Sequence, residues 1–475
     1  MFNNEDIIKA KPLYFSERNG KNLVVSIELG TWLILDDNII KLLKEVNEEK
    51  TYKKIEYLSY GNKKLFDREL LRLYQLGFIS INNQDNLPKC SITKSIIEAN
   101  KVPNLCMLHV SNNCNLECRY CYAHTDCTDK KNMDIKVMKK AIDRFFELDI
   151  NNINIEFHGG EPLVQYKNIM KACSYAIELA NKQHKKVSFS MQSNMTFLNE
   201  DCIKMLKKYN ISIRISLDGM KEDNDYYRID KNGKGSYNKI INNLKILNEN
   251  GIYPEVVSVV SKRNVDKLID MYKLFVSLNL SRIRLVPFWS QGMGNEISSD
   301  VVPPEYLVDK YIELMEWMLE YNKQQSDNNK KIKMFSLQKE IEALTSFSRS
   351  YMCLRCPCGA GINMVDVSVD GNIYPCEEMN EIEEMCIGNI YSGTIMDQYK
   401  KSNVIKALKE RNPDNIEECV SCPWKRHCQS GCANKNYQRY GAIETKSDKC
   451  DFYKKYFEEL IWFMHRKGEQ YKEII

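Results

Sequence analysis

Cys114-Asn-Leu-Glu-Cys118-Arg-Tyr-Cys121 is the stretch on which the reading of this chain turns. Its three thiols follow an apolar run, Leu105 to Val110, that reads as a strand. Four cysteines would close a tetrahedral metal site or an iron–sulfur cube. Three on one short loop can hold three irons of a [4Fe–4S] cluster and leave the fourth open to a small molecule. The competing readings are a zinc knuckle and three unrelated core thiols. Zinc loops favour C-x₂₋₄-C pairs matched by a second pair nearby, a pattern that fits poorly here.

Composition narrows what those thiols do. At 475 residues the chain has the length of about three domains, and 43% hydrophobic content is ordinary for globular folding. The 68 Lys and Arg against 64 Asp and Glu leave a net charge of only +4, spread along the chain. Nothing there demands nucleic acid, and the mild basic excess suits an acidic peptide partner. The opening residues lack the basic and apolar regions of a signal peptide. No apolar run approaches the roughly 18 residues needed to span a bilayer. The expectation is a cytoplasmic protein without a membrane partner. In a reducing compartment, 18 cysteines point to metal ligation rather than disulfides. None precedes Cys90, and more than half lie between Cys353 and Cys450. Cys173 and Cys202, on helical segments, read as small core hydrophobes.

The organisation reads as α/β with added domains. Residues 1–88 carry two strand-like runs around Gly30, Asn22 to Ile27 and Thr31 to Leu35. A helix capped by Asp37 follows, then one over about 64–77, then a strand from Phe78. This is a winged-helix-like pattern. A polar linker, 89–103, leads into 104–290, where strand candidates 105–111, 152–157, 186–192, 211–217, 254–260 and 282–287 alternate with room for helices. Six βα repeats imply a parallel sheet curled into a partial (β/α)6 TIM-like barrel. In such barrels chemistry sits at the C-terminal ends of the strands, where the Cys motif falls. Residues 291–350 read as connecting helices, with a solvated loop around Asn322 to Lys333. A Cys-rich domain spans 351–452 and a closing helix 453–475.

The CxxxCxxC spacing, with aromatic Tyr120 just before the third Cys, resembles the radical S-adenosylmethionine (SAM) superfamily. Phe157-His158-Gly159-Gly160-Glu161-Pro162 resembles that superfamily's GGEP motif, and Ser216-Leu217-Asp218-Gly219 its SLDG pattern. The resemblance implies a SAM contact for Tyr120, Ser193 and Ser216. It has Gly159 and Gly160 let backbone approach a ligand closely, and Glu161 accept from the methionine amino group. Arg228 would clamp the methionine carboxylate. Asp218 is equally a substrate contact or a turn former, and His158 reads as a packed histidine. The chemistry implied is reductive cleavage of SAM to a 5′-deoxyadenosyl radical that abstracts hydrogen from an unactivated C–H bond.

The second cysteine field is similar to the SPASM domain of radical SAM peptide-modifying enzymes. Cys358 and Val369-Asp-Gly371-Asn-Ile-Tyr-Pro-Cys376 are followed by Cys419-x₂-Cys422-x₅-Cys428-x₃-Cys432 and Cys450. The family's crossed pattern assigns Cys358, Cys376 and Cys432 to auxiliary cluster I. Cys419, Cys422, Cys428 and Cys450 then hold auxiliary cluster II, so the cofactors implied are SAM and three [4Fe–4S] clusters. Cys353, Cys356 or neither closes the first auxiliary cluster; Cys386 and Cys127 stay unassigned. Glu377, beside Cys376, is a candidate general base, against a solvated loop carboxylate. Residues 1–88 resemble the PqqD-like recognition element of ribosomal-peptide maturases, which offers a strand edge to a leader peptide. The resemblance implies a thioether-forming maturase of the sactipeptide or ranthipeptide type. Its partners would be a precursor peptide and a low-potential donor such as flavodoxin or ferredoxin. The alternatives are a carbon–carbon crosslinking maturase, an anaerobic sulfatase-maturing type of enzyme, and a non-catalytic zinc-binding module.

Overall fold

The computed structural model describes residues 2–84, 102–123, 131–346, 349 and 352–475. Cys90, Cys127 and nearly all of the 89–103 linker lie outside the described residues. The chain forms two compact units. One comprises Met1–Glu98, Glu342–Pro357 and Arg411–Phe457; the other comprises Ala99–Ile341, Cys358–Glu410 and Glu458–Ile475. The Cys-rich stretch expected as one domain over 351–452 is therefore shared between them.

In the first unit, strands β1 (Ile7–Ala10), β2 (Leu13–Arg18), β3 (Lys21–Ser26), β4 (Trp32–Leu35), β5 (Lys50–Thr51) and β6 (Ile79–Ile81) form two small antiparallel sheets. Their orders are β5-β1-β6 and β2-β3-β4. Helices Asp37–Glu45 and Lys63–Gln75 bury Leu42, Leu43, Leu70 and Leu73 against Ile8, Val24 and Phe78. Asp36, not Asp37, is the N-cap of the first helix, because its backbone is still extended (φ −82°, ψ 159°). β1 and β2 were not expected from the sequence. β1 in particular pairs with β5 and β6, far along the chain, so no local pattern announces it.

Distant segments complete this unit. The Trp32 indole N–H donates to Leu344 O at 2.8 Å, and Arg426 Nε donates to Glu28 O at 2.6 Å. The Tyr14 and Trp424 rings meet edge to face at 6.0 Å. The N-terminal region keeps a core of its own and packs with parts of 342–357 and 411–457 in one compact unit.

The second unit is organised by one ten-stranded sheet. Six parallel strands stand in sequence order: β7 (Leu105–His109), β8 (Asn152–His158), β9 (Lys186–Ser193), β10 (Ser212–Ser216), β11 (Glu255–Val260) and β12 (Arg282–Pro287). All six match the expected strands to within a residue or two. Each crossover carries a helix, as in a partial (β/α)6 barrel. Alternate residues such as Ile153, Ile155 and Phe157 are buried on one face, which leaves Glu156 and His158 on the other.

Two extensions of this sheet were missed. β13 (Lys333–Met334) adds a parallel partner to β12. On the other side β14 (Met364–Val367) runs parallel to β7, and β15 (Asn372–Tyr374) and β16 (Gly388–Asn389) follow it. The barrel sheet therefore continues into the Cys-rich sequence. The expected solvated loop at Asn322 to Lys333 also needs correction at its first residue. Asn322 is fully buried, its amide donating to Ile332 O (3.0 Å) and Glu473 O (2.9 Å) and accepting from Ile332 N (2.9 Å). A polar side chain that satisfies three backbone groups belongs in a core, and composition alone does not reveal that.

Candidate active site

The Cys114–Cys121 loop leaves the C-terminal end of β7 and is held by backbone bonds to the segment after β10. Glu117 N donates to Ile229 O at 2.8 Å and Arg119 N to Tyr227 O at 2.9 Å. From the end of β8, Gly159 and Gly160 press on the start of the loop. A Cβ on Gly159 would lie 2.4 Å from Ser111 O, and one on Gly160 would lie 2.4 Å from Asn113 O. Gly159 also has φ 121°, open essentially to glycine alone. The close approach expected of this pair is thus made to the cysteine loop itself.

The thiols lie in a common, half-buried environment. Burial lifts Cys114 and Cys118 to about 11, and each also feels the charge of a neighbouring thiol of the loop. Cys114 Sγ accepts from Leu116 N at 3.4 Å and from Asn194 Nδ2 at 3.5 Å. Among the described residues, no three His, Cys, Asp or Glu side chains converge closely enough to grip a metal as placed. The chemistry of the set still favours one, because buried thiolates are stabilised by a cationic iron core.

Tyr120, Asp218 and Arg228 form one buried network. The Tyr120 hydroxyl donates to Asp218 Oδ2, and Arg228 donates to the Tyr120 oxygen at 2.7 Å. Asp218 Oδ1 accepts from Val259 N at 2.9 Å, so this carboxylate also ties β10 to β11. Arg228 keeps one buried nitrogen, Nε, without a partner. An orphaned guanidinium nitrogen beside the cysteine loop fits an anionic ligand such as a carboxylate.

Glu161 is fully buried with both oxygens engaged. Oε1 accepts from Ser193 Oγ (2.8 Å) and Leu163 N (2.9 Å), and Oε2 from Asn194 N (2.6 Å). Ser193 therefore serves Glu161 here, and its neighbour Asn194 is the side chain that reaches the cysteine loop. Asn194 went unassigned on sequence, where the signal was only its position at the end of β9. Ser216 is buried at the end of β10, on the same face as Arg214.

The non-helical face of the second unit is charged. Glu156 on β8 pairs with Arg214 on β10 and accepts from Ser190 Oγ at 3.2 Å. Glu377 follows Cys376 in a short turn, where burial and then the charges of Glu378 and Glu156 push it up to about 7. Tyr122, next to Cys121, feels the charges of Glu377 and Glu378. Glu377 is half-buried, and its charge reaches Tyr122 at the end of the cysteine loop. Asp366 on β14 is also fully buried and lifted to about 8 by burial.

In the first unit Cys419, Cys422, Cys428 and Cys450 act on one another electrostatically, as one ligand set would. Asn434, two residues past Cys432, is completely buried with neither amide atom bonded, which fits a polar group lying against it. Cys356 Sγ donates to Arg411 O at 2.7 Å, and Cys353 is exposed.

Comparison with known proteins agrees with this geometry. Residues 108–275 match the radical SAM superfamily model, and residues 358–423 match the SPASM iron–sulfur cluster-binding domain. A cysteine-type anaerobic sulfatase-maturating enzyme of Clostridium novyi is 27% identical over 365 residues, covering 74% of this chain and 93% of that protein. The radical SAM cyclopropyl synthase TigE of Paramaledivibacter caminithermalis is 24% identical over 495 residues, covering 93% and 96%. Among solved structures, Streptococcus suis SuiB bound to precursor peptide SuiA superposes with a TM-score of 0.55 at 15% identity, covering 94% of this chain and 99% of that one. With its cysteine loop, its parallel sheet and both family matches in place, the chain belongs to the radical SAM superfamily, binding SAM at a [4Fe–4S] cluster and carrying auxiliary iron–sulfur clusters in a SPASM domain.

Proposed function

We propose that this enzyme binds the leader of a ribosomally made precursor peptide through its N-terminal region and installs thioether crosslinks in the core of that peptide. The observation that carries the peptide-modifying part of this reading is the extent of the likeness. A cyclopropyl synthase relative and a structural neighbour solved with a precursor peptide each span more than nine-tenths of the chain. The sulfatase-maturating relative spans 74%. Within the first unit, β2 is an edge strand, paired only with β3 among the described residues. A groove of about 590 Å³ along it is lined by Leu13, Phe15 and Leu43 with Lys9, Lys11 and Lys44. An extended, acidic leader with apolar side chains would suit that edge and that lining.

In this reading Cys114, Cys118 and Cys121 hold the SAM-binding cluster and Arg228 takes the methionine carboxylate. Tyr120 and Asp218 keep the guanidinium in place, while Glu161, fixed by Ser193, positions the Asn194 segment against the loop. When bound there, SAM and its cluster would supply hydrogen abstraction from an unactivated C–H bond. Glu377, poised near neutrality, accepts the proton of the substrate thiol. Cys358 and Cys376, both in the second unit, are proposed as ligands of an auxiliary cluster. A second reading, closure of a carbon–carbon bond, is favoured by the near full-length cyclopropyl synthase relative.

The test is incubation of the anaerobic holoenzyme, SAM and reductant with a short peptide encoded beside its gene. The expected product is lighter by a pair of hydrogens and has lost a thiol that iodoacetamide would alkylate. The same mass loss with every thiol still reactive selects the carbon–carbon reading, and an unmodified peptide rejects the maturase reading. Glu377→Gln is expected to keep SAM cleavage while slowing crosslinking by about 10²-fold or more, the usual contribution of a general base. For leader docking, Phe15→Glu should weaken precursor affinity at least tenfold in fluorescence anisotropy, a loss of about 1.4 kcal/mol. Phe15 is 41% exposed, so the fold tolerates the change, and an unaltered affinity removes the groove from this role.

A further inference from the structure

The second half of the Cys-rich region contains a buried positive charge that no carboxylate answers. Arg411 is 2% exposed. Its guanidinium donates only to backbone carbonyls: Ile443 O at 2.8 Å, Gly431 O at 3.0 Å and Ser430 O at 2.6 Å. Two neighbouring cations differ, since Lys425 and Arg426 both pair with Asp414, at 3.0 and 2.8 Å. Arg349, half-buried, also bonds to backbone carbonyls: it donates to Leu354 O (2.6 Å), His427 O (3.0 Å) and Ala343 O (3.2 Å), and to Arg426 O, and unlike Arg411 it also feels the charge of a carboxylate, Glu342.

Each cation lies by a cysteine of the set Cys419, Cys422, Cys428 and Cys450. The charge of Arg411 reaches Cys419, and that of Arg349 is felt with Cys428 and Cys356. Carbonyl dipoles satisfy the N–H groups but do not cancel the charge, and a buried charge without a counter-charge is strongly disfavoured. An all-thiolate iron–sulfur cube is anionic and becomes more so on reduction. Net charge and hydrogen bonding around such a cube set its potential.

We propose that Arg411 and Arg349 are the counter-charges of the auxiliary cluster held by Cys419, Cys422, Cys428 and Cys450, and that they raise its midpoint potential. The step concerned is a one-electron reduction of the cube. The electron adds a negative charge to the cluster, no proton moves, and two fixed cations favour the reduced form. Their effect is to make this cluster a ready electron acceptor. The proposal rests on the four-cysteine ligand assignment, and the experiment separates the two.

The measurement is an EPR-monitored redox titration of full-length, anaerobically reconstituted protein in which Cys114, Cys118 and Cys121 are all Ala, so that only auxiliary signals remain. Cys422→Ala should remove one signal and its iron; retention of both signals would reject the ligand assignment. Arg411→Gln and Arg349→Gln should each move that same signal to a more negative potential and leave the other unmoved. Arg411→Lys, which keeps the charge, should titrate with the parent. An Arg411→Gln protein with full iron and an unmoved midpoint overturns the proposal, as does an Arg411→Lys shift as large as that of Gln. If Gln at 411 costs the protein its iron, Arg349→Gln decides: a negative shift supports the counter-charge and an unmoved midpoint refutes it.

Discussion

Cys118→Ala is expected to bring reductive SAM cleavage down to the background of enzyme-free reductant. Cys118 lies at the centre of the loop, between backbone anchors at Glu117 and Arg119 that do not involve its side chain. The substitution therefore leaves the loop in position and removes one thiolate. A cube with a two-thiolate anchor and an open iron is not retained, so iron should fall by about a third if three cubanes are present. The auxiliary spectra should persist. High-performance liquid chromatography of 5′-deoxyadenosine reads the first outcome and iron analysis the second. Cleavage at the parent rate would remove this loop from radical generation.

Gly160→Ala should do nearly as much without touching a ligand. The added Cβ would stand 2.4 Å from Asn113 O, 2.6 Å from Asn113 C and 3.0 Å from Cys114 N. These are backbone atoms, against an ordinary contact distance of about 3.5–4.0 Å. No rotamer change relieves such a clash; the loop must move by about 1 Å. Overpacking of this kind costs on the order of 1–3 kcal/mol of stability. A 1 Å displacement of reacting groups costs about 10²-fold in rate. The expected result is a folded protein with unchanged auxiliary signals, impaired loading of the SAM-binding cluster, and SAM cleavage lowered by about 10²-fold. Parent-level cleavage in Gly160→Ala would show that the loop has slack the packing does not reveal.

These variants probe different kinds of information. Cys118 was legible because a ligand must be a particular residue at a particular spacing, and spacing is printed in the sequence. The six parallel strands were legible for a similar reason, since each is a short apolar run bounded by turns. Gly160 was legible as a glycine in a motif, but its reason was not. What it abuts is the backbone of Asn113, brought there by the pairing of β7 with β8. Asn194 and Asp218 fall in the same class, because their partners Cys114 and Tyr120 lie about 80 and 98 residues away.

The N-terminal region marks another limit of the sequence. Its helices follow from amphipathic periodicity, and its strands β3 and β4 from alternation. Its packing with parts of 342–357 and 411–457 does not, because Trp32 and Arg426 reach carbonyls hundreds of positions away in the chain. Removing residues 1–88 would uncover Trp424 and His427, so point substitutions such as Phe15→Glu are the appropriate probes of leader docking.

No helix among the described residues is long and apolar enough to cross a membrane. That agrees with the hydropathy of the chain.

Sequence alone determined the chemistry: three thiols with one iron position left open, a Gly-Gly-Glu turn after the next strand, and a second cysteine field with its own spacing. Each of these is a local pattern, and local patterns survive in one dimension. Only the tertiary structure decided how charge and packing are distributed around them. It set Glu377 near the charges of Glu378 and Glu156, used Glu161 and Ser193 to support each other, and left Arg411 as a buried cation bonded only to backbone carbonyls. Those outcomes depend on which distant groups share a low-dielectric interior, and the energy of a buried charge is set by its neighbours in space.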